Sequence, residues 1–328
     1  MNENNEKILQ VNNLKVYYYT SKGTVKAVDD ISFFLRKGET LGLVGESGCG
    51  KTTTGVALLK MPTPPGKIAG GEIIIDGQNI VELSEKEVRK NVRWEKIAMV
   101  FQGAMNCLTP VYTIGKQMME TLTEHKQMNK EDAKKLIVKY LNLVGLPEHI
   151  VNRYPHELSG GMKQRVVIAM ALFLEPKVIV CDEPTTALDV IVQAQIINLL
   201  KDLKQKLNLS FIFITHDLAT EAEVSDRILV MYAGKVAEIG TNQQIYGKQG
   251  PMHPYTQKLL KATPRIHEKV DELSFIPGTP PDLLDPPKGC RFHLRCSEAM
   301  DICREKEPQL IEVEKDHCVA CWRCTKNV

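Results

Sequence analysis

The chain has 328 residues, which is too long for a minimal scaffold and leaves room for two domains. Its 42 basic and 40 acidic side chains nearly cancel at +2, which excludes bulk charge attraction to nucleic acid or acidic lipid as the basis of function. A composition 43% hydrophobic and 25% charged excludes a disordered or collagen-like chain.

Met1–Lys7 shows no basic segment leading into an apolar one, so no secretory signal is read and a cytoplasmic chain is expected. Two β-like stretches follow, Ile8–Tyr19 and Val25–Leu35, separated by the turn residues Ser21, Lys22 and Gly23. Thr40–Val44 is a short apolar strand that runs directly into Gly45-Glu46-Ser47-Gly48-Cys49-Gly50-Lys51-Thr52-Thr53 and then a helical pattern. From about Gly103 to Glu175 the chain reads as a mostly helical insertion. There Ala133, Leu136, Ile137, Tyr140, Leu141 and Val144 repeat at three and four, with Asn129 as the cap. Val178–Cys181 and Phe211–Ile214 are short apolar strands with a helical Val190–Leu207 between them, the alternation of a parallel sheet with crossover helices. The fold class is therefore α/β. The longest apolar run, Val166–Leu174, falls far short of the about 20 residues that span a bilayer. Beyond Thr263, Pro264, Pro277, Pro280, Pro281, Pro286 and Pro287 predict an extended arm rather than a packed domain.

Gly45-x-x-x-x-Gly50-Lys51-Thr52, placed between strand and helix, fits the phosphate-binding loop. Its glycines let backbone N–H groups converge on phosphates, Lys51 reaches the β and γ oxygens, and the Thr52 hydroxyl can ligate Mg²⁺. Val178–Cys181 ends in Asp182 and Glu183, where an α/β sheet places its ligands. Asp182 would hold Mg²⁺ through water, and Glu183 would polarise the water that attacks the γ-phosphate. A second anion-seeking helix start is Leu158-Ser159-Gly160-Gly161-Met162-Lys163-Gln164-Arg165, with Ser159 as the cap. One nucleotide has one γ-phosphate, so this second helix end is expected to serve a nucleotide held by a facing subunit.

With these residues in place, the chain resembles the ATP-binding cassette (ABC) family over roughly Ile8 to Gly247. Leu158–Arg165 matches the signature motif, Gln102 the Q-loop, Ala187-Leu188-Asp189 the D-loop, and His216 the switch histidine. The resemblance implies a cassette with a RecA-like parallel core, an antiparallel β subdomain and a helical subdomain at about 103–175. It implies a head-to-tail dimer in which ATP lies between the Gly45–Thr53 loop of one subunit and Ser159, Gly160, Gly161, Gln164 and Asp189 of the other. The catalytic residues would be Glu183, His216 and Gln102, and Mg²⁺ would be held through Thr52, Gln102 and Asp182. The ATP-binding set would be Gly45, Ser47, Gly48, Cys49, Gly50, Lys51, Thr52, Thr53, Gln102 and Asp182, with Tyr18 stacking on adenine and Tyr19 as its rival.

Gly45–Gly50, Met105–Gln117, His253-Pro254-Tyr255-Thr256 and Pro286–Cys296 are similar to the ATPase subunits of dipeptide and oligopeptide importers. This implies ATP hydrolysis that energises peptide uptake, with residues 1–250 as the nucleotide-binding domain and 251–328 as a C-terminal region of the importer type. The implied partners are a second ATPase subunit, homologous or identical, and two integral membrane permease subunits. An extracytoplasmic binding protein would act indirectly, nucleic acid would not be a partner, and the chain would sit peripherally on the cytoplasmic face of the membrane. Nickel, glutathione and oligosaccharide importers use similar ATPases and stay open as alternatives. Repair cassettes carry long coiled coils, whereas 55 residues separate Gln102 from Leu158 here, and translation cassettes usually come two to a chain. An ATPase scaffold for iron–sulfur assembly would explain the cysteines but not the importer-like segments.

Six of the nine cysteines fall in the last 39 residues, at 290, 296, 303, 318, 321 and 324. In a reducing compartment such clustering points to metal ligands more than to disulfides. Free thiols, a structural Zn²⁺ and an iron–sulfur cluster are all open readings. By motif position the resemblance assigns Cys290, Cys296, Cys303 and Cys321 to a [4Fe–4S] cluster, with Cys318 or Cys324 as possible substitutes. Such a cluster would staple the arm and leave nucleotide binding largely independent of it.

Overall fold

The computed structural model describes residues 6–126, 128–262 and 276–325; Thr263 and Pro264 lie outside the described residues. In chain order the first elements are β1 (Lys7–Thr20), β2 (Gly23–Arg36), β3 (Thr40–Val44), α1 (Lys51–Leu58), β4 (Gly66–Ile75), β5 (Gln78–Asn79), α2 (Glu85–Asn91) and β6 (Ile97–Val100). Then come α3 (Ile114–Lys126), α4 (Lys130–Leu143), α5 (Gly160–Ala171), β7 (Val178–Asp182), α6 (Val190–Leu207), β8 (Ser210–Ile214) and α7 (Leu218–Val224). The chain continues through β9 (Arg227–Tyr232), β10 (Lys235–Thr241), α8 (Asn242–Tyr246), α9 (Pro254–Lys261), α10 (Asp301–Glu305), β11 (Ile311–Glu314) and β12 (His317–Val319).

The expected antiparallel pair forms as β1 against β2, joined where Thr20 meets Gly23, and belongs to a four-stranded sheet β2-β1-β4-β5. The larger sheet runs β11-β12-β10-β9-β3-β8-β7-β6. Its β9, β3, β8, β7 and β6 are mutually parallel, while β10, β12 and β11 continue antiparallel from β9.

Period-two alternation divides the parallel strands between two cores, as expected where helices and a second sheet cover both faces. Ile97, Met99, Val178, Val180, Ile212 and Ile214 pack with α1 and the smaller sheet. Their neighbours Ala98, Val100, Ile179, Cys181, Phe211 and Phe213 pack with the helical insertion, where α4 carries the expected stripe of Ala133, Ile137, Tyr140, Leu141 and Val144 under an Asn129 cap. Leu136 is only partly buried at the edge of that core.

The C-terminal segment departs from the expected arm. Residues from Ile276 to Phe292 are largely without regular structure, but the backbone N–H of Lys26 on β2 donates to the Leu283 carbonyl, and Phe292 is buried against Tyr232 and Tyr255. Beyond it, β12 pairs with β10 through Glu238↔Val319 and Ile239↔Cys318. The proline pattern registers the lack of regular structure correctly. It does not register that the tail returns to add two strands to the main sheet.

Candidate nucleotide site

Strand β3, buried along its whole length, delivers the phosphate loop to the carboxyl end of the parallel strands. Gly45 adopts φ +148 where a Cβ would lie 2.2 Å from the Met231 carbonyl oxygen, and Gly50, at φ +104, would place one 2.5 Å from the Ala27 carbonyl oxygen. Neither position tolerates a side chain without moving backbone. Gly48, at φ +78, has nothing within 4 Å of a built Cβ, so that side of the loop is open. Lys51 is buried, and its ammonium donates to the carbonyls of Gly45 at 2.7 Å and Glu46 at 3.0 Å. Cys49 is buried beneath the loop, its thiol pushed up by that burial, while Ser47 and Thr52 are exposed and Thr53 is half-buried.

Two acids end β7. Asp182 is buried and accepts from the Thr52 hydroxyl at 3.2 Å. Burial, opposed by the Thr52 bond and reinforced by the adjacent Glu183 charge, pushes its carboxyl up to about 6. Glu183 sits at φ 48 and accepts from Gln102 Nε2 at 2.8 Å and the Thr186 hydroxyl at 2.9 Å; its other oxygen is 2.9 Å from His216 Nδ1. Burial raises this carboxyl, but the hydrogen bonds from His216, Thr186 and Gln102 outweigh it and hold it below the usual carboxylate range. Residues 102, 183 and 216, brought from three strand ends, thus meet at one carboxylate beside the Thr52–Asp182 pair. Thr186, which belongs to that constellation, carries no spacing signal in the sequence.

The second glycine-rich segment is assembled separately. Ser159 caps α5 by accepting from the Met162 N–H at 3.3 Å, and Asp189 caps α6 by accepting from the Val192 N–H at 2.9 Å. A Cβ on Gly161 would lie 2.5 Å from Val192, and one on Gly160 would lie 3.1 Å from Leu188, so these two segments pack on each other. Gln164 is buried in α5. Among the described residues no hydrogen bond joins Ser159–Gln164 or Asp189 to the Gly45–Thr53 loop.

Tyr18 is half-buried between Val25 on β2 and Gly66 on β4, while Tyr19 is 48% exposed. Tyr17 donates its hydroxyl to Asp29. A cavity of about 490 Å³ lined by Asp30, Lys235, Arg291 and Glu307 includes none of the phosphate-loop residues.

The phosphate loop has partners that its own sequence does not announce. Tyr255, fully buried on α9, accepts the Glu46 N–H at 2.9 Å, and Arg295 from the cysteine-bearing segment grips the Glu46 carboxylate with both arms of its guanidinium, at 2.6 and 2.9 Å. The tail, expected to leave nucleotide binding largely independent of its cysteines, thus contacts the phosphate loop directly.

Cys290, Cys296, Cys303 and Cys321 line one small cavity of about 20 Å³. Burial pushes the Cys290 thiol up to about 12 and that of Cys321 up to about 11, with the other thiols of the group adding to both. Cys318 faces the core from β12, and the Cys324 N–H donates to the Cys321 carbonyl. Among the described residues no three His, Cys, Asp or Glu side chains are grouped so as to hold a metal ion, so the geometry supports neither the expected [4Fe–4S] cluster nor Zn²⁺.

Comparison with known proteins agrees with this geometry. A family model described as "ABC transporter" matches residues 28–186, and one described as "Oligopeptide/dipeptide transporter, C-terminal region" matches residues 237–303. The chain is 50% identical over 320 residues to the oligopeptide transport ATP-binding protein OppD of Bacillus subtilis, covering 96% of this chain and 88% of that one. It is 47% identical to the dipeptide transport ATP-binding protein DppD of the same organism, covering 97% and 95%. Among solved structures, it matches a cassette of the CbiONQ ABC transporter complex from Clostridium perfringens with TM-score 0.65 and 30% identity, covering 74% of this chain and 92% of that one. It also matches a dimeric post-hydrolysis ATP-binding cassette bound to ADP and Pi with TM-score 0.63 and 29% identity, covering 71% and 98%.

Proposed function

The chain belongs to the ABC transporter ATPase family, of the oligopeptide and dipeptide importer type, and from that premise we propose that it binds and hydrolyses ATP to energise uptake of di- and oligopeptides. The observation that carries the chemistry is the convergence of Gln102, Thr186 and His216 on the Glu183 carboxylate, next to Thr52 and Asp182.

In this reading Gly45, Ser47, Gly48, Cys49, Gly50, Lys51, Thr52 and Thr53 receive the phosphates, and Tyr18 stacks on adenine. A carboxylate held below its usual range stays ionised, so Glu183 can accept a hydrogen bond from the attacking water and orient it; the general-base role we assign to it requires that nucleotide binding rearrange the bonds that now lower its basicity. His216, on its other oxygen, would orient that carboxylate and contact the γ-phosphate. Mg²⁺ would be held by Thr52, Gln102 and Asp182, and when bound it neutralises charge on the phosphates. The Thr52 hydroxyl and the buried Asp182 carboxylate are oxygen donors already within hydrogen-bond reach of each other, which fits a hard cation.

Ser159, Gly160, Gly161, Gln164 and Asp189 would complete the site of a facing subunit, either a homologue or a second copy. Their separation from this chain's own loop, and the bare Val190 and Ile191 at 80% and 72% exposure beside Asp189, support that reading. Phe101, Val111 and Tyr112, exposed apolar side chains in the stretch that follows β6 and includes Gln102, support docking on two permease subunits, with an extracytoplasmic binding protein acting indirectly. Among the described residues no helix is long and apolar enough to cross a membrane, and a peripheral position on its cytoplasmic face is the matching proposal. Residues 1–250 would form the nucleotide-binding domain and 251–328 the C-terminal region.

For the tail, the same reading assigns Cys290, Cys296, Cys303 and Cys321 to a [4Fe–4S] cluster, with Zn²⁺ as the alternative. That the four line one small cavity places them near one another, which is what supports this reading. The assignment rests on the resemblance and on the closeness of the four residues, since among the described residues no group of side chains stands ready to hold a metal ion. Iron and sulfide analysis after anaerobic purification decides between them.

Turnover and nucleotide affinity test the central assignment together. Glu183→Gln is expected to bind ATP with affinity within about threefold of the parent and to lose turnover by about 10³-fold, within the range for removing a general base. Unchanged turnover would refute the role.

A further inference from the structure

Glu46 lies within the phosphate loop, where a carboxylate is electrostatically misplaced: a triphosphate brought to this loop meets a like charge. The structure resolves the conflict from the far end of the chain. Arg295 Nη1 donates to one Glu46 oxygen at 2.6 Å and to the Tyr232 hydroxyl at 3.2 Å. Nη2 donates to the other Glu46 oxygen at 2.9 Å and to the Ile276 carbonyl at 3.2 Å. Nε donates to the Pro277 carbonyl at 2.8 Å. All five guanidinium N–H groups are thereby satisfied around a side chain only 5% exposed, so the fork has one orientation available to it. The backbone of Arg295 is fixed in turn, its carbonyl accepting from Lys258 Nζ at 2.9 Å. Tyr255 takes the Glu46 N–H, so Glu46 is held at both backbone and side chain by residues that follow the family's ATP-site motifs.

A companion contact comes from the same short run. Arg291 donates to Asp29 on β2 and to the Ala233 carbonyl, and Asp29 also accepts from Tyr17, the neighbour of Tyr18. Each arginine is adjacent in sequence to a cysteine of the shared cavity, Cys290-Arg291 and Arg295-Cys296. The segment therefore reaches both the phosphate loop and β2 from one base.

We propose that Arg295 is a positioning residue for ATP: its bidentate pair neutralises Glu46 and draws that carboxylate away from the phosphates, so that nucleotide affinity depends on the seating of the cysteine-bearing segment. The proposal rests on the ATPase reading above. Without Arg295, Glu46 is free to turn toward the anion site, and ATP suffers more than ADP because it carries more charge.

The test is calorimetric titration of MgATP and MgADP into the full-length chain and its variants. Arg295→Ala is expected to raise the dissociation constant for ATP about tenfold, equivalent to about 1.4 kcal/mol, and that for ADP by less. Adding Glu46→Gln, which removes the charge and keeps the shape, should bring ATP affinity back to within about threefold of Glu46→Gln alone. Arg295→Lys keeps the charge without the fork and should fall between. If Arg295→Ala does not fold, Arg295→Lys with and without Glu46→Gln gives the same contrast. Failure of Glu46→Gln to rescue in whichever pair is used, or equal losses for ATP and ADP, would overturn the proposal. A parent chain that binds no ATP would instead sink the underlying ATPase assignment.

Discussion

Substituting Glu221 by glutamine should make the protein more stable at alkaline pH, by an amount the structure allows one to calculate. Glu221 lies on α7 and is fully buried against β3, the strand that feeds the phosphate loop; a Cβ on Gly42 would strike its Oε1 at 1.5 Å. One oxygen accepts from the Ser225 hydroxyl; among the described residues the other has no partner, nor has the hydroxyl of nearby Tyr246. Burial, opposed by the Ser225 bond and aided by the Asp217 charge, raises the carboxyl from 4.5 to about 8. Because the folded value lies above the unfolded one, the acid is protonated in both states below about pH 4.5 and costs nothing there. The penalty grows as pH rises from about 4.5 to about 8 and is complete above that. Converted at about 1.36 kcal/mol per unit, the full penalty is on the order of 5 kcal/mol, and local relaxation and water entry reduce it to about 2–4 kcal/mol. Urea unfolding of parent and Glu221→Gln at pH 5 and pH 8.5 isolates this term, because any packing cost of the amide is common to both. The variant should gain about 2–4 kcal/mol relative to the parent between the two conditions. An equal difference at both pH values would refute the reasoning.

Gly45→Ala should cost about 2 kcal/mol or more in unfolding free energy and abolish ATP binding, because its Cβ would meet the Met231 carbonyl oxygen at 2.2 Å; denaturant melts and nucleotide titration check both. Ser159→Ala removes the side-chain cap of α5 and should destabilise the fold by about 1 kcal/mol. It should lower turnover of the assembled transporter while leaving ATP affinity of the isolated chain within about twofold, and a loss of that affinity would place Ser159 in its own chain's site.

The parts of this molecule legible in the sequence are those whose signals are local. Strands β3, β7 and β8 are short apolar runs, and α6 occupies Val190–Leu207, where the sequence reads as helical. The phosphate loop declares itself because its glycines serve backbone geometry within a few residues. By contrast, β11 and β12 are four and three residues long, and only the pairing of β12 with β10, and of β11 with β12, makes strands of them. Arg295 and Glu46 stand 249 positions apart, and nothing in either local pattern names the other. Glu221 looks like any acid on a short surface helix; its burial arises because Gly42, lacking a side chain, leaves room beneath β3.

In the function proposed for it, this chain hydrolyses ATP to drive peptide import. The most direct measurement is ATP hydrolysis and labelled-peptide uptake by the chain co-purified with its permease subunits and partner ATPase and reconstituted in vesicles with the peptide-binding protein. Hydrolysis stimulated by peptide-loaded binding protein, uptake that follows it, and loss of both in Glu183→Gln are the expected outcomes. Hydrolysis indifferent to peptide, with no uptake at any ATP concentration, would contradict it.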